Sequence, residues 1–230
     1  MARSIRPETP ADRAVVPADA ARVAAVLARE HPGARTELDH RDAFELLVAT
    51  VLSAQTTDVR VNAVTPVLFS RWPDAVALAG ADQAEVTGIV RPLGMGATRA
   101  RRLLGLAQGL IARHGGEVPD DQAALEALPG VGRKTAHVVR GAWFGHSLLA
   151  VDTHVGRLAR RLGWTAAEDP RAVEEDLVAH LAADGAHGPD ADLTVLGLRL
   201  ILHGRRVCTA RAPRCGDCVL VDLCPRVGVA

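Results

Sequence analysis

Tyrosine is missing from this chain, lysine occurs once, and aromatic residues fill only 3% of its 230 positions. With so few rings, the core behind an apolar content of 48% must be Ala, Leu and Val, a mix that favours helix over sheet. No apolar run approaches the ~20 residues that cross a bilayer, and no signal peptide is expected ahead of the first polar stretch. The expectation is therefore a soluble cytoplasmic protein with no membrane association. A chain with 4 cysteines and no secretory signal is also not expected to use disulfides. Net charge is absent too, since 27 basic residues meet 27 acidic ones, which excludes a uniformly basic surface.

The charges that are present are unevenly spread. Residues 91–113 hold five arginines and no acid, and residues 128–164 hold six bases against Asp152 alone. Residues 165–198 reverse this with eight acids and one base, and residues 199–226 return to six bases against two acids. One face on a phosphate backbone would produce that polarity, although folding could also interleave the segments and cancel the field.

Helical periodicity recurs along the chain. Segments beginning after Pro17 and ending at Pro32, and over residues 41–55, 57–72, 97–116, 120–130, 132–145, 152–164, 169–185 and 192–204, all read as helices. In the fourth of these, Ala100, Leu103, Leu104, Ala107, Leu110 and Ile111 fall on one face. Trp143 and Phe144 are expected in the core. No stretch alternates with period two for long, so the chain is predicted to be all-α, without repeats. Residues 1–16, rich in proline, are expected to form a mobile tail.

The single lysine, Lys134, stands in "LPGVGRKTAH" (residues 128–137). Arginine keeps its proton in proteins, whereas an amine can lose it and become a nucleophile. Pro129 ends one helix, and Gly130 and Gly132 allow a close backbone approach at the start of the next, where N–H groups and the dipole favour an anion. A plain interhelical turn is the alternative, because Gly-x-Gly alone is weak. At the other end, Cys208, Cys215, Cys218 and Cys224 sit within seventeen residues, spaced C-x6-C-x2-C-x5-C. Four clustered thiols point to a metal, with an iron–sulfur cluster and structural zinc both open.

"LPGVGRKTA", "VDTH" eighteen residues after the lysine, and this cysteine spacing together resemble the endonuclease III family of helix-hairpin-helix DNA glycosylases, over residues 17–225. The resemblance implies two helical lobes. One is a six-helix barrel lobe with the hairpin (36–148); the other is an iron–sulfur cluster lobe (17–35 and 149–230). It implies a bifunctional DNA glycosylase and AP lyase of base excision repair that removes oxidised pyrimidines and nicks the strand by β-elimination. Lys134 would be the Schiff-base nucleophile and Asp152 the carboxylate that stabilises the sugar cation, although Asp152 also suits an ordinary N-cap. The four cysteines would hold a [4Fe-4S] cluster.

Gln55 in "LSAQTTD" and Met95 in "PLGMGATRARR" would fill the space left by a flipped base, and Gly130, Val131, Gly132 and Arg205 would meet the DNA backbone. Helix capping by Gln55 and loop packing by Met95 remain the alternatives, and Gly96 stands where the family loop carries a bulkier residue. The implied partner is double-stranded DNA with damaged bases or abasic sites, bound by a monomer in the bacterial nucleoid. A monofunctional mismatch glycosylase, or a non-enzymatic DNA-binding iron–sulfur protein, is the alternative function. His137 and His154, beside the candidate catalytic residues, are expected to be satisfied locally.

Overall fold

Aspartate opens helix after helix in this chain. In the computed structural model, which describes residues 15–186, 188 and 191–229, the carboxylates of Asp19, Asp42, Asp74, Asp82, Asp121, Asp152 and Asp169 each accept bonds from N–H groups of the following turn. Those N–H groups lack partners inside the helix, so an acceptor and a negative charge both stabilise that end. Residues 1–14 of the expected tail lie outside the described residues.

Among the described residues there are twelve α-helices and no strand, the all-α class expected from composition. They are α1 (Ala20–Glu30), α2 (Ala43–Leu52), α3 (Asp58–Asn62), α4 (Thr65–Arg71), α5 (Ala75–Ala79), α6 (Gln83–Val90), α7 (Gly96–His114), α8 (Gln122–Glu126), α9 (Arg133–Ala142), α10 (Thr153–Arg161), α11 (Pro170–Ala183) and α12 (Leu193–Arg206).

The helix expected over residues 57–72 is two short ones. Pro66, in the first turn of α4, has no N–H with which to continue a helix from α3. Asn62 turns its amide aside instead, donating to the Glu37 carbonyl (2.8 Å) and accepting from the Asp39 N–H (3.1 Å). Helices α5 and α6 escape a periodicity scan because they are only 5 and 8 residues long; their capping aspartates were the available signal.

The chain divides into two units. One comprises Gly33–Ala150 and Asp192–Leu198. In it, α7 buries Ala100, Leu103, Leu106, Ala107 and Leu110 against α5 and α6, while α2, buried along nearly its whole length, packs on α9 and α7. Ile111, expected on the buried face, is 39% exposed. The unit's other segment, Asp192–Leu198, is held through Thr194, whose hydroxyl lies 2.8 Å from the His146 carbonyl and 3.0 Å from that of Leu148, donating its one proton between them, and accepts from the Leu148 N–H.

The other unit comprises the residues up to Pro32, Val151–Ala191 and Arg199–Ala230. Here Val23, Leu27, Val155, Leu158, Val173, Leu177 and Leu181 are buried, and α11 packs on α1 and α10. The Trp164 indole donates to the Ala18 carbonyl (2.7 Å), and the Ala18 N–H donates to Leu162 (2.9 Å).

Truncating Leu103 to Ala is expected to lower stability by about 2–5 kcal/mol, whereas Ile111→Ala changes it by less than about 0.5 kcal/mol. Urea midpoints of the two variants check the difference.

Candidate functional site

The turn that carries the lysine is held from below. Helix α8 ends at Ala127, Leu128 is buried, and Gly130 takes a φ of +84°, a region costly for any residue with a β-carbon. A Cβ on Gly105 would lie 3.3 Å from Pro129, and one on Gly109 would lie 3.0 Å from Leu128. Two glycines one turn apart on α7 therefore form a notch that seats Leu128 and Pro129. Val131, 7% exposed, closes the turn through its N–H to the Leu128 carbonyl (3.1 Å).

Gly132 is different. Its φ is −109°, and nothing lies within 4 Å of a Cβ placed there. Neither backbone strain nor protein packing calls for glycine at this position, and the space over it is open. Helix α9 begins immediately after it without a side-chain cap, and Lys134 stands exposed in its first turn. Three residues on, His137 is buried with Nδ1 3.0 Å from the Leu149 carbonyl, a locally satisfied histidine as expected. Trp143, expected in the core, is 43% exposed and meets the His40 ring edge-on. It follows the last turn of α9, where the chain leaves the buried face; Phe144 does pack on the core.

Gln55 and Met95 share an unusual backbone. Their φ values are +60° and +51°, left-handed conformations that side chains other than glycine seldom adopt. Both are exposed, Met95 by 57%. Gln55 does not cap α2, whose C-cap is Ser53, and Met95 fills no gap in the core. Gly96, where the family loop is bulkier, has its own reason: a Cβ there would stand 3.2 Å from the Arg91 Cα and 3.3 Å from the Thr87 methyl.

In the other unit, Asp152 is half-buried at the start of α10, and its Oδ1 accepts from the N–H groups of His154 (2.8 Å) and Val155 (2.9 Å). Capping is shared with seven other aspartates, Asp192 at α12 among them, and does not itself mark a catalytic group; what it does is fix the carboxylate's orientation. His154 is held with Nδ1 3.0 Å from the Arg157 guanidinium, and burial pushes its pKa down. Arg157 also donates to the carbonyls of Gly204 (2.9 Å) and Cys208 (3.1 Å). Arg205 is exposed in the last turn of α12.

Cys208, Cys215, Cys218 and Cys224 line one small pocket together with Arg161, Val207 and Val221. Arg161 donates to the Cys208 sulfur (3.1 Å) and to the carbonyls of Thr209 (2.7 Å) and Ala210 (2.9 Å), and the Leu220 N–H points at the Cys218 sulfur (3.4 Å). Burial pushes the Cys218 and Cys224 thiols up; a bound cation reverses that balance and draws the thiolates. His203, whose pKa burial lowers to about 4, sits with Nε2 3.4 Å from the Cys218 sulfur. Among the described residues no three such side chains converge where one ion could sit.

A helix–glycine turn–helix with an exposed lysine, in a chain that also carries a four-cysteine loop, defines a class of DNA repair protein. A profile of HhH-GPD superfamily base excision DNA repair proteins matches residues 48–182, and the iron-sulfur binding domain of endonuclease III matches residues 208–224. The chain belongs to the endonuclease III family. It is 45% identical to the Synechocystis endonuclease III over 203 residues, covering 87% of this chain and 89% of the relative. With the Escherichia coli enzyme it shares 40% identity over 202 residues, 86% and 90% of the two chains. A trapped endonuclease III–DNA covalent intermediate superposes with a TM-score of 0.80 at 39% identity, covering 87% of this chain and 92% of the other. A thermostable thymine-DNA glycosylase shares the fold, with a TM-score of 0.77 at 22% identity over 90% and 95% of the two chains.

The cofactor is therefore an iron–sulfur cluster held by the four cysteines. Cys218→Ala is expected to remove the broad visible absorbance of the purified protein and its bound iron, measured by spectrum and iron assay. A colourless wild-type protein containing zinc would contradict the assignment.

Proposed function

We propose that the two-step activity of this endonuclease III family member, release of an oxidised pyrimidine followed by strand nicking, is carried out by Lys134 and Asp152. The observation that carries the reading is the placement of the chain's one lysine. It is exposed in the first turn of α9, two residues beyond a glycine that the protein's own packing does not require.

The neutral Lys134 Nζ attacks C1′ of the damaged nucleotide. The N-glycosidic bond breaks with its electron pair on the departing base, which takes up a proton. As the bond breaks, positive charge develops on the sugar, and the Asp152 carboxylate stabilises it. Expulsion of the ring oxygen leaves an iminium between Nζ and C1′, an electron sink that acidifies C2′. Loss of a C2′ proton then expels the 3′ phosphate, which cuts the strand. A guanidinium cannot form that imine, which accounts for a lysine in a chain otherwise reliant on arginine.

The hairpin supports DNA binding through its backbone. The uncapped N–H groups at the start of α9 and the open space over Gly132 suit a phosphate. Gln55 and Met95, exposed on left-handed backbone, suit wedges that replace a base flipped from the stack. Arg205 adds a phosphate contact. The same reading has the chain working as a monomer on duplex DNA with damaged bases or abasic sites, at the nucleoid of the bacterial cytoplasm; its named relatives are bacterial. None of its described helices is long and apolar enough to cross a membrane.

Lys134→Gln is expected to lower nicking at an abasic site by about 10³-fold or more while leaving DNA affinity within a few fold. A gel assay with matched binding curves measures both. Unchanged nicking would remove Lys134 as the nucleophile, and a wild-type protein that releases base without nicking would favour the second reading, a monofunctional glycosylase. At Asp152 the two roles separate. Asn retains an N-cap acceptor, so Asp152→Asn keeps the melting temperature near wild type, whereas Asp152→Ala loses about 1 kcal/mol of stability. Both variants are expected to lose base release, measured as free base under single-turnover conditions; full activity in Asp152→Asn would reduce this residue to a cap.

A further inference from the structure

We propose that Arg99 is a positioning residue that clamps the two wedge loops to each other, so that Gln55 and Met95 enter the duplex as one preset pair. The inference deepens the reading above and rests on its assignment of those two residues as wedges. Arg99 is 5% exposed on α7. Its guanidinium donates to the carbonyls of Leu52 (2.7 Å) and Ala54 (2.8 Å) on one side and of Gly94 (2.8 Å) and Leu93 (3.4 Å) on the other. Its backbone N–H takes the carbonyl of Met95 as well (3.0 Å).

The placement is specific. Ala54 and Gly94 are the residues immediately before Gln55 and Met95, and they lie far apart in the sequence. One buried side chain therefore holds the peptide leading into each candidate wedge. The carbonyls it collects are the unpaired ones beyond the end of α2 and of the 3₁₀ turn Arg91–Leu93, where the negative end of a helix dipole favours a cation. Only a planar fork with five donors reaches acceptors on two diverging loops at once; an ammonium is a point donor on a single stem. Desolvation, with Arg102 adding to it, pushes the Arg99 pKa down from its ordinary value, and four carbonyls compensate a guanidinium that stays charged.

The clamp also accounts for the backbone. A left-handed φ in a residue with a side chain is strained and persists only where its surroundings over-determine it. Gln55 and Met95 both show it, and Arg99 grips the residue before each. On the Met95 side, the close seating of Gly96 on Arg91 and Thr87 adds a second restraint. Flipping a base from a duplex costs a few kcal/mol of stacking and pairing, and wedges ordered before contact spend no binding energy on being ordered. Without the fork, each loop is free to relax towards ordinary backbone, and the wedges lose their common geometry.

The test uses the full-length holoprotein and two substrates: a duplex carrying one oxidised pyrimidine, and a single-stranded oligonucleotide carrying an abasic site, which needs no base flipped from a duplex. Arg99→Met, similar in length but without donors, is expected to lower the single-turnover rate on the duplex by about 10- to 100-fold. Single-strand nicking should stay within about threefold of wild type, so the duplex to single-strand ratio falls. Arg99→Lys keeps a charge at the end of α2 and is expected to fall between the two, which preserves the test should Arg99→Met fail to fold. Equal loss on both substrates, or a wild-type ratio in Arg99→Lys, would overturn the clamp. Gln55→Ala and Met95→Ala run alongside. If they depress the ratio and Arg99→Met does not, the clamp alone fails; if neither depresses it, the wedge assignment fails and takes the clamp with it.

Discussion

Everything proposed for this protein depends on how closely one five-residue turn lies against α7. Leu128 and Pro129 drop into the notch left by Gly105 and Gly109, Gly130 turns back at positive φ, and α9 starts three residues later. Close packing sets that geometry, and close packing resists small displacements. Because α9 is seated through Val139 and Ala136 in the same core as α2 and α7, its first turn presents Lys134 from a rigid base. A nucleophile on a loose loop would lose much of the advantage that fixed orientation brings to an attack on a sugar carbon.

Two other parts of the molecule follow the same logic with different chemistry. Arg99 does with four hydrogen bonds what the glycine notch does with shape: it fixes backbone that carries exposed side chains. In the cysteine loop, Arg161 joins sulfur and carbonyl oxygen under a single guanidinium, and the iron–sulfur cluster adds a covalent restraint to a segment with no long helix of its own. Arginine holds irregular backbone in both places.

Much of this was legible in the sequence. The lysine after Pro-Gly-Val-Gly, the cysteine spacing and the run of helices all lie in short local patterns, which is where sequence carries most information. What escaped was contact between distant segments. Nothing local to Gly105 and Gly109 says that a turn some twenty residues on will rest there, and nothing local to Arg99 names carbonyls at 52 and 54. The reason for glycine at position 96, its close packing against Arg91 and Thr87, was likewise not legible in the local sequence. Trp143 was misplaced because burial was inferred from residue type, and α3 with α4 because a proline inside a helical pattern was read as tolerated.

The most direct test of the central claim is chemical. Incubating the protein with DNA containing an oxidised pyrimidine in the presence of borohydride would reduce any imine to a stable amine, and peptide mapping by mass spectrometry would locate it. The account predicts a single adduct on Lys134. No adduct, or an adduct on another amine, would contradict it.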